Sequence, residues 1–243
     1  MSRVGAATAI LALVGVAIVP PLAAQVCAGL PSLRERPLRL TATAAHYTYA
    51  TALGLSLTGG RTIYGTLGFG RTRDPELDAS TYPISAEIGA DIAIGDGLFL
   101  CPVVSAAVSL GPYDFELSQY DFRYVDRGAG LGLAGVAVSG RWINVIVAGS
   151  VRAARVTGTY WPTGSKAATS SGWSQAGDYW LAGFSVGVEM GQTLTIRPGI
   201  TWPFRVTYPE GAWFASPFGR KPDEVSLGIA VSIGLGRRGR ATR

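Results

Sequence analysis

Few side chains in this sequence could do chemistry. His46 is the only histidine among 243 residues, so a serine–histidine–acid hydrolase site would have to include it. The same count excludes a metal site built from several histidines. No spacing ties a serine or an aspartate to His46, and we expect it to be a polar surface residue. The sequence therefore predicts no catalytic residue, no metal and no cofactor.

Glycines 130, 132 and 135 match the dinucleotide-binding pattern GxGxxG letter for letter. That motif needs a helix that opens within it. Here Val136 and Val138 continue a pattern of alternating residues that is typical of a strand. We therefore interpret these glycines as strand residues that allow bending or a close approach.

Five charged residues stand inside apolar stretches in which bulky and small residues alternate. All five share the small-residue side: Glu87, Asp91, Arg152, Glu189 and Arg197. Charges held in an interior are costly unless they are paired or hydrated. We expect these residues to form a charge network that closes or narrows the interior of the fold. The functional alternative is a constriction that selects solutes.

The first 24 residues have the features of an export signal. Arg3 is followed by an apolar run of sixteen residues, Val4 to Val19, and then by two prolines and Leu22-Ala23-Ala24. We predict cleavage after Ala24. A transmembrane anchor is the alternative, but the run is shorter than the roughly 20 residues that a helical span requires.

Cys27 and Cys101 are the only cysteines. An even count in an exported chain favours a disulfide over two free thiols. The bridge would close a loop of 74 residues, which is worth about 4 kcal/mol at the upper end.

The composition is apolar, with 48% hydrophobic and 15% charged residues, against roughly 25% charged in an average soluble domain. This excludes a disordered polar chain. Without Arg3 there are 20 basic and 16 acidic residues, and four of the basic ones are arginines in the last seven positions. The body is thus balanced at 16 against 16, which argues against a nucleic-acid-binding groove.

A period of two residues runs through the chain after the leader. In the stretch from Val225 to Leu235, bulky residues at odd positions alternate with Ser, Gly and Ala at even ones. Similar alternation recurs in seven or more other stretches, which predicts about ten strands of about ten residues, with eight as the alternative. Ten residues is the length that a tilted strand needs to cross a bilayer.

Short and long connections alternate between these strands. The short ones lie near 58–60, 95–97, 139–141 and 191–192, and the long ones near 72–81, 111–127, 156–177 and 203–224. If 46–49 is the first turn on the opposite side, all long loops lie at one end of the fold. This predicts an all-β, antiparallel, up-and-down barrel.

The strand pattern and the loop order resemble the bacterial outer-membrane β-barrel family, in which periplasmic turns are short and outer loops are long. The mature start Gln25-Val26-Cys27 and the segment Leu100-Cys101-Pro102 are similar to the small "outer membrane protein beta-barrel domain" group. The resemblance implies an outer-membrane location, contact with outer-membrane lipid, insertion by the barrel-insertion machinery, and a monomer. The chain departs from the family pattern because it ends on a basic segment and not on an aromatic residue.

The predicted organisation has four parts: a signal peptide at 1–24, a periplasmic N-terminal segment at 25–37, the barrel at 38–236 and a basic tail at 237–243. An extracellular ligand, if one exists, is expected at the most aromatic loop, through Tyr208, Trp213, Phe214 and Phe218.

We predict a structural or surface-interaction role, with a narrow channel as a variant of it. One alternative is a soluble exported barrel like a lipocalin, which turns its apolar face inward around a ligand. The small, uncharged residues on the other face make a poor water-facing exterior, and this favours the membrane. A lipid-modifying enzyme that uses His46 at the barrel rim is the weaker alternative.

Overall fold

The computed structural model describes residues 36–48, 50–60, 62–74, 79–113, 120–140, 142–162, 172–191, 193–207 and 225–235. This part of the chain forms eleven strands: β1 (Leu38–His46), β2 (Thr51–Gly60), β3 (Ile63–Asp74), β4 (Ala79–Ala90), β5 (Ile92–Gly95), β6 (Leu98–Tyr113), β7 (Tyr120–Ser139), β8 (Ile143–Pro162), β9 (Trp173–Met190), β10 (Leu194–Thr207) and β11 (Ser226–Leu235). None of the described residues forms a helix long and apolar enough to cross a membrane.

The strands close into a barrel. Neighbours in the chain pair in antiparallel fashion, β1 pairs with β11, and β4 pairs with β6. Strand β5 continues β4 after an interruption at Asp91 and pairs with the same partner, β6. These two segments therefore occupy one strand position in the barrel wall. We call each such position a stave, and the wall has ten staves. The prediction of a ten-stranded up-and-down barrel is confirmed.

The two faces of the wall differ as the alternation predicts. On β11, Ser226, Gly228 and Ala230 are buried, whereas Ile229 and Ile233 are exposed. The same holds around the barrel, where the large exposed apolar residues include Leu67, Ile88 and Val104. The apolar face points outward and the small face inward. This is the reverse of a lipocalin, so the lipocalin-like interpretation is wrong.

Tight turns occupy one end of the barrel, which we call the turn end. They connect β2 to β3, β5 to β6, β7 to β8 and β9 to β10, at the four places that the sequence predicts. Gly97 and Gly191 have φ of 71° and 58°, a left-handed conformation that glycine adopts without steric cost. Both chain ends of the barrel, Leu38 and Leu235, lie opposite each other at this end.

At the other end, the loop end, several strands are longer than predicted. Strands β7 and β8 have 20 residues each, and β9 has 18. Much of the loops predicted at 111–127 and 156–177 is therefore paired strand. Twenty residues extend about 66 Å, whereas the hydrocarbon core of a bilayer is about 30 Å thick. The hydropathy pattern fades above that core because the outward face there no longer needs to be apolar, so the sequence signal ends before the strand does.

Several predicted features lie outside the described residues. They are the signal peptide, the segment 25–35, the tail 237–243, Cys27, and the loop aromatics Tyr208, Trp213, Phe214 and Phe218. The described residues do not test the predictions made for these features.

Candidate functional site

A buried ion pair lies inside the barrel towards the loop end. Arg152 of β8 donates to Asp126 of β7, and the two side chains are 5% and 1% exposed. Arg152 also donates from Nη1 to Tyr179 Oη at 2.8 Å, and from Nε and Nη2 to Ser105 Oγ at 3.2 and 3.1 Å. Tyr179 in turn donates to Asp126. We call these four residues the upper cluster; they join four successive staves, β6 to β9.

Inward-facing glycines make room for these large side chains. A Cβ atom on Gly128 would lie 2.7 Å from Arg152 Cζ and 2.8 Å from the backbone oxygen of Ala153. A Cβ atom on Gly89 would overlap the Tyr64 hydroxyl. Long polar side chains of the lumen, Arg152 and Tyr64, therefore lie against glycines of neighbouring strands.

A second group of polar residues lies nearer the turn end. Glu189, 1% exposed, accepts a hydrogen bond from Asn144 Nδ2 at 3.0 Å. Arg39 on β1 interacts electrostatically with Glu189 and Asp91. Asp91 is buried at the interruption between β4 and β5, where its backbone N–H donates to Thr62 O at 2.8 Å. We call Arg39, Asp91, Asn144 and Glu189 the lower cluster.

Glu87 and Arg197 lie on opposite walls of the barrel. Glu87 lies on β4 and Arg197 on β10, and these staves are five positions apart in a ring of ten. The two side chains interact electrostatically, and Glu87 also interacts with Arg152 of the upper cluster. Arg197 interacts with Asp91 of the lower cluster. Electrostatic attraction thus acts across the lumen, whereas the direct ion pair between Arg152 and Asp126 joins neighbouring strands of its wall.

The charged side chains of this interior have little solvent exposure. Glu87 is 8% exposed and Asp126 is completely buried. An apolar cluster lies in the same barrel on β6, β7 and β8, formed by Phe99, Cys101, Val103, Ala134, Ile146 and Ala148. Buried charges keep their ionised form only when opposite charges and hydrogen bonds replace the lost water. Chemically, the arrangement can seal a lumen and rigidify a wall.

The other predicted residues lie apart from this network. His46 is exposed on the outward side at the loop end of β1, with Nδ1 3.5 Å from Thr51 Oγ1. The barrel wall therefore separates it from the five inward charges. Cys101 is fully buried on the inward face of β6, and its pairing with Cys27 stays a prediction. The described residues contain no group of three or more His, Cys, Asp or Glu side chains that could hold a metal ion.

Sequence reasoning missed part of the site. It assigned Asp126 to a loop, and it did not single out Arg39, Tyr64 or Tyr124, which all face inward. The signal for Asp126 was present, because Tyr124, Asp126 and Gly128 continue the two-residue period of β7. Polar residues on the outward face nearby, Arg123 and Arg127, weaken the alternation of apolar and polar residues that marks a strand.

The chain has the fold of bacterial outer-membrane β-barrels. It is similar to the translocator domain of the autotransporter NalP from Neisseria meningitidis, with a TM-score of 0.51, 16% identity, and 97% of this chain and 98% of that chain covered. At this identity the similarity establishes the fold alone.

Two other solved structures match with lower scores. The NanC porin has a TM-score of 0.37 and 12% identity, with 82% of this chain and all of that chain covered. CdiB from Acinetobacter baumannii has a TM-score of 0.37 and 8% identity, with 71% of this chain covered, and this chain spans 32% of CdiB. No protein-family model and no curated protein matches the chain. The narrower resemblance to the small "outer membrane protein beta-barrel domain" group stays a prediction.

Proposed function

We propose that this protein is an integral outer-membrane barrel with a closed lumen, which serves as a membrane anchor that presents long hairpins at the cell surface. Its role is structural or interactive, and it is neither a pore nor an enzyme. The proposal includes insertion by the barrel-insertion machinery and contact with outer-membrane lipid on the apolar exterior.

The burial of the lumen charges is the observation that carries this proposal. In an open channel, charged side chains at a constriction stay hydrated and accessible to ions. Here Glu87, Arg152 and Glu189 are each less than 10% exposed, and Arg152 uses its donors on protein groups. This favours a sealed interior over the selective channel that the same residues suggested from the sequence.

The paired extensions of β6 to β9 support the second half of the proposal. Arg123 pairs in register with Thr159 far from the turn end of β7, and its guanidinium lies 5.3 Å from the ring of Trp161. A rigid scaffold that carries its strands beyond the membrane is well suited to hold loops for recognition. We place any partner contact at these hairpins and at the aromatic loop 208–224.

The location is tested first. Cells expressing the protein are fractionated, and the barrel is identified by a heat-dependent change in gel migration. We expect it in the outer-membrane fraction and soluble only in detergent. A water-soluble barrel would contradict the membrane proposal.

Conductance is tested next in planar bilayers. We expect no channel steps from the wild type. A variant with Glu87→Ala and Arg197→Ala loses two large, opposite charges that lie on facing walls of the lumen, and we expect it to conduct. Arg155→Ala is the control, because it removes an arginine from the outward face. This variant should show no channel steps. Steady conductance by the wild type would contradict the closed lumen and support the channel.

A further inference from the structure

The outer wall of the barrel carries a groove. It is lined mostly by outward residues and, between them, by inward ones that include Glu87 and Ser105. It crosses six staves, from β4 to β10, and encloses about 940 Å³. Four outward alanines make its floor, Ala86, Ala106, Ala129 and Ala153, with larger apolar side chains beside them at Ile88, Val104 and Trp180. A row of small residues between larger ones leaves a depression in which an apolar chain can lie.

Arginines border this apolar floor. Arg127, Arg155 and Arg205 all line the groove and all are exposed on the outward face. The described groove residues include one outward carboxylate, Asp178, which lies 3.5 Å from Arg155. Neither Arg127 nor Arg205 forms an ion pair with a described residue. The groove is therefore cationic, although the barrel body as a whole is balanced in charge.

The register places two of these arginines directly opposite each other. Arg127 of β7 pairs with Arg155 of β8. Like charges at opposed positions have Cβ atoms about 5 Å apart and destabilise a sheet. One exposed carboxylate does not neutralise three guanidinium groups, so a bound anion would relieve the repulsion. Guanidinium groups are also the side chains best shaped to hold phosphate oxygens in pairs.

The height of these arginines matches a membrane surface. Arg127 is twelve residues from the turn end of β7 at Ser139, and Arg155 is twelve residues from that of β8 at Ile143. Twelve residues of a strand tilted by about 40° rise about 30 Å, the thickness of the hydrocarbon core. Arg205 is eleven residues from the turn end of β10 at Leu194, and it pairs with Trp180, which lies two residues nearer the turn end of β9 than Asp178. Phosphates of the outer leaflet would lie at the arginines, with acyl chains over the alanine floor.

We infer that this groove binds one phosphorylated lipid of the outer leaflet. The inference depends on the proposed outer-membrane location, because that location puts the loop end in the outer leaflet. The floor accounts for an acyl chain and the arginines for its phosphates, so a free phosphate ion would use only half of the site.

Lipid binding is measured on the purified barrel in zwitterionic detergent, by native mass spectrometry and titration calorimetry. The probe is lipid A with both phosphates, compared with lipid A from which they have been removed. We expect one bound lipid for each barrel. Binding should be about a hundredfold weaker when Arg127→Gln and Arg205→Gln are combined, because each removes a charge-assisted hydrogen bond worth about tenfold in affinity. Ala153→Trp, which fills the floor and keeps every arginine, should also weaken binding.

Arg73→Gln is the matched control, because Arg73 is an exposed arginine of β3 outside the groove. Equal weakening in this control, or equal binding of the dephosphorylated lipid, would overturn the inference. Full displacement of lipid A by equimolar inorganic phosphate would show a simple anion site and would also overturn it. Heat-dependent gel migration verifies the folding of each variant. A barrel that fractionates with the outer membrane but fails these tests refutes the groove alone, whereas a soluble barrel refutes the proposed location.

Discussion

Replacing Arg152 by methionine removes one guanidinium group from the upper cluster and leaves most of the side-chain volume. The change leaves Asp126 buried without its counter-ion and takes hydrogen bonds from Tyr179 and Ser105. Breaking a buried ion pair by removing one partner typically costs about 3–5 kcal/mol. We expect the free energy of unfolding to fall by about that amount.

The same strand offers a matched control. Arg155 also pairs with an aspartate, Asp178, but on the outward face, where the two side chains are 63% and 57% exposed. Exposed pairs contribute about 0–1 kcal/mol. Arg155→Met should therefore change the stability by less than about 1 kcal/mol, although it removes the same side chain three residues away.

The measurement is urea unfolding of the barrel in phospholipid vesicles, followed by tryptophan fluorescence. A third variant combines Arg152→Met with Asp126→Leu, so that no unpaired charge is left. Because an apolar replacement of a whole buried pair is often neutral, we expect it to recover most of the stability that Arg152→Met removes.

Equal effects of Arg152→Met and Arg155→Met would refute this reasoning. That result would mean that water reaches Asp126 and hydrates it, and hence that the lumen is open. A further decrease in stability on adding Asp126→Leu would also refute it, because the carboxylate could not then be a buried, uncompensated charge.

Two further predictions follow from the interior. Gly128→Ala should destabilise the barrel by about 1–3 kcal/mol, because the added Cβ would lie 2.8 Å from the Ala153 oxygen. Gly149→Ala is the control and should be neutral, because the nearest atom to a Cβ on this outward glycine is 4.0 Å away. The urea midpoints of the two variants are compared, and equal midpoints would refute the close-packing explanation. A Cys27–Cys101 bridge should appear as linked peptides in mass mapping without reductant and disappear with it, and separate peptides in both conditions would show that the thiols are free.

The strand segments in the membrane-spanning part could be predicted from the sequence, but their extensions at the loop end could not. On β11 every second residue is bulky, because one face meets apolar surroundings and the other an interior with space for small side chains. On β7 the residues above Gly128 still alternate between wall faces, but Arg123 and Arg127 are polar on the outward side. In this part of β7 the hydropathy of the residues no longer alternates with a period of two, although the backbone pairing with β8 continues to Tyr120 and Pro162.

The inward orientation of Glu87 and Arg197 was readable from their neighbours, but their interaction was not. They are 110 positions apart in the chain, and only closure of the ring puts β4 opposite β10. The outward arginines show the same limit, since they are separated in the sequence by more than twenty residues and meet only through strand register. The balanced net charge of the barrel body therefore gives no indication of the cationic groove.

The sequence by itself determined the class of fold and the side of the wall on which most residues of the membrane-spanning strand segments lie. Both are local properties, because successive side chains of a strand point to opposite faces. The tertiary structure alone decided which inward charges lie near one another and where outward arginines gather. Those outcomes depend on strand register and ring closure, which bring together residues that the sequence keeps far apart.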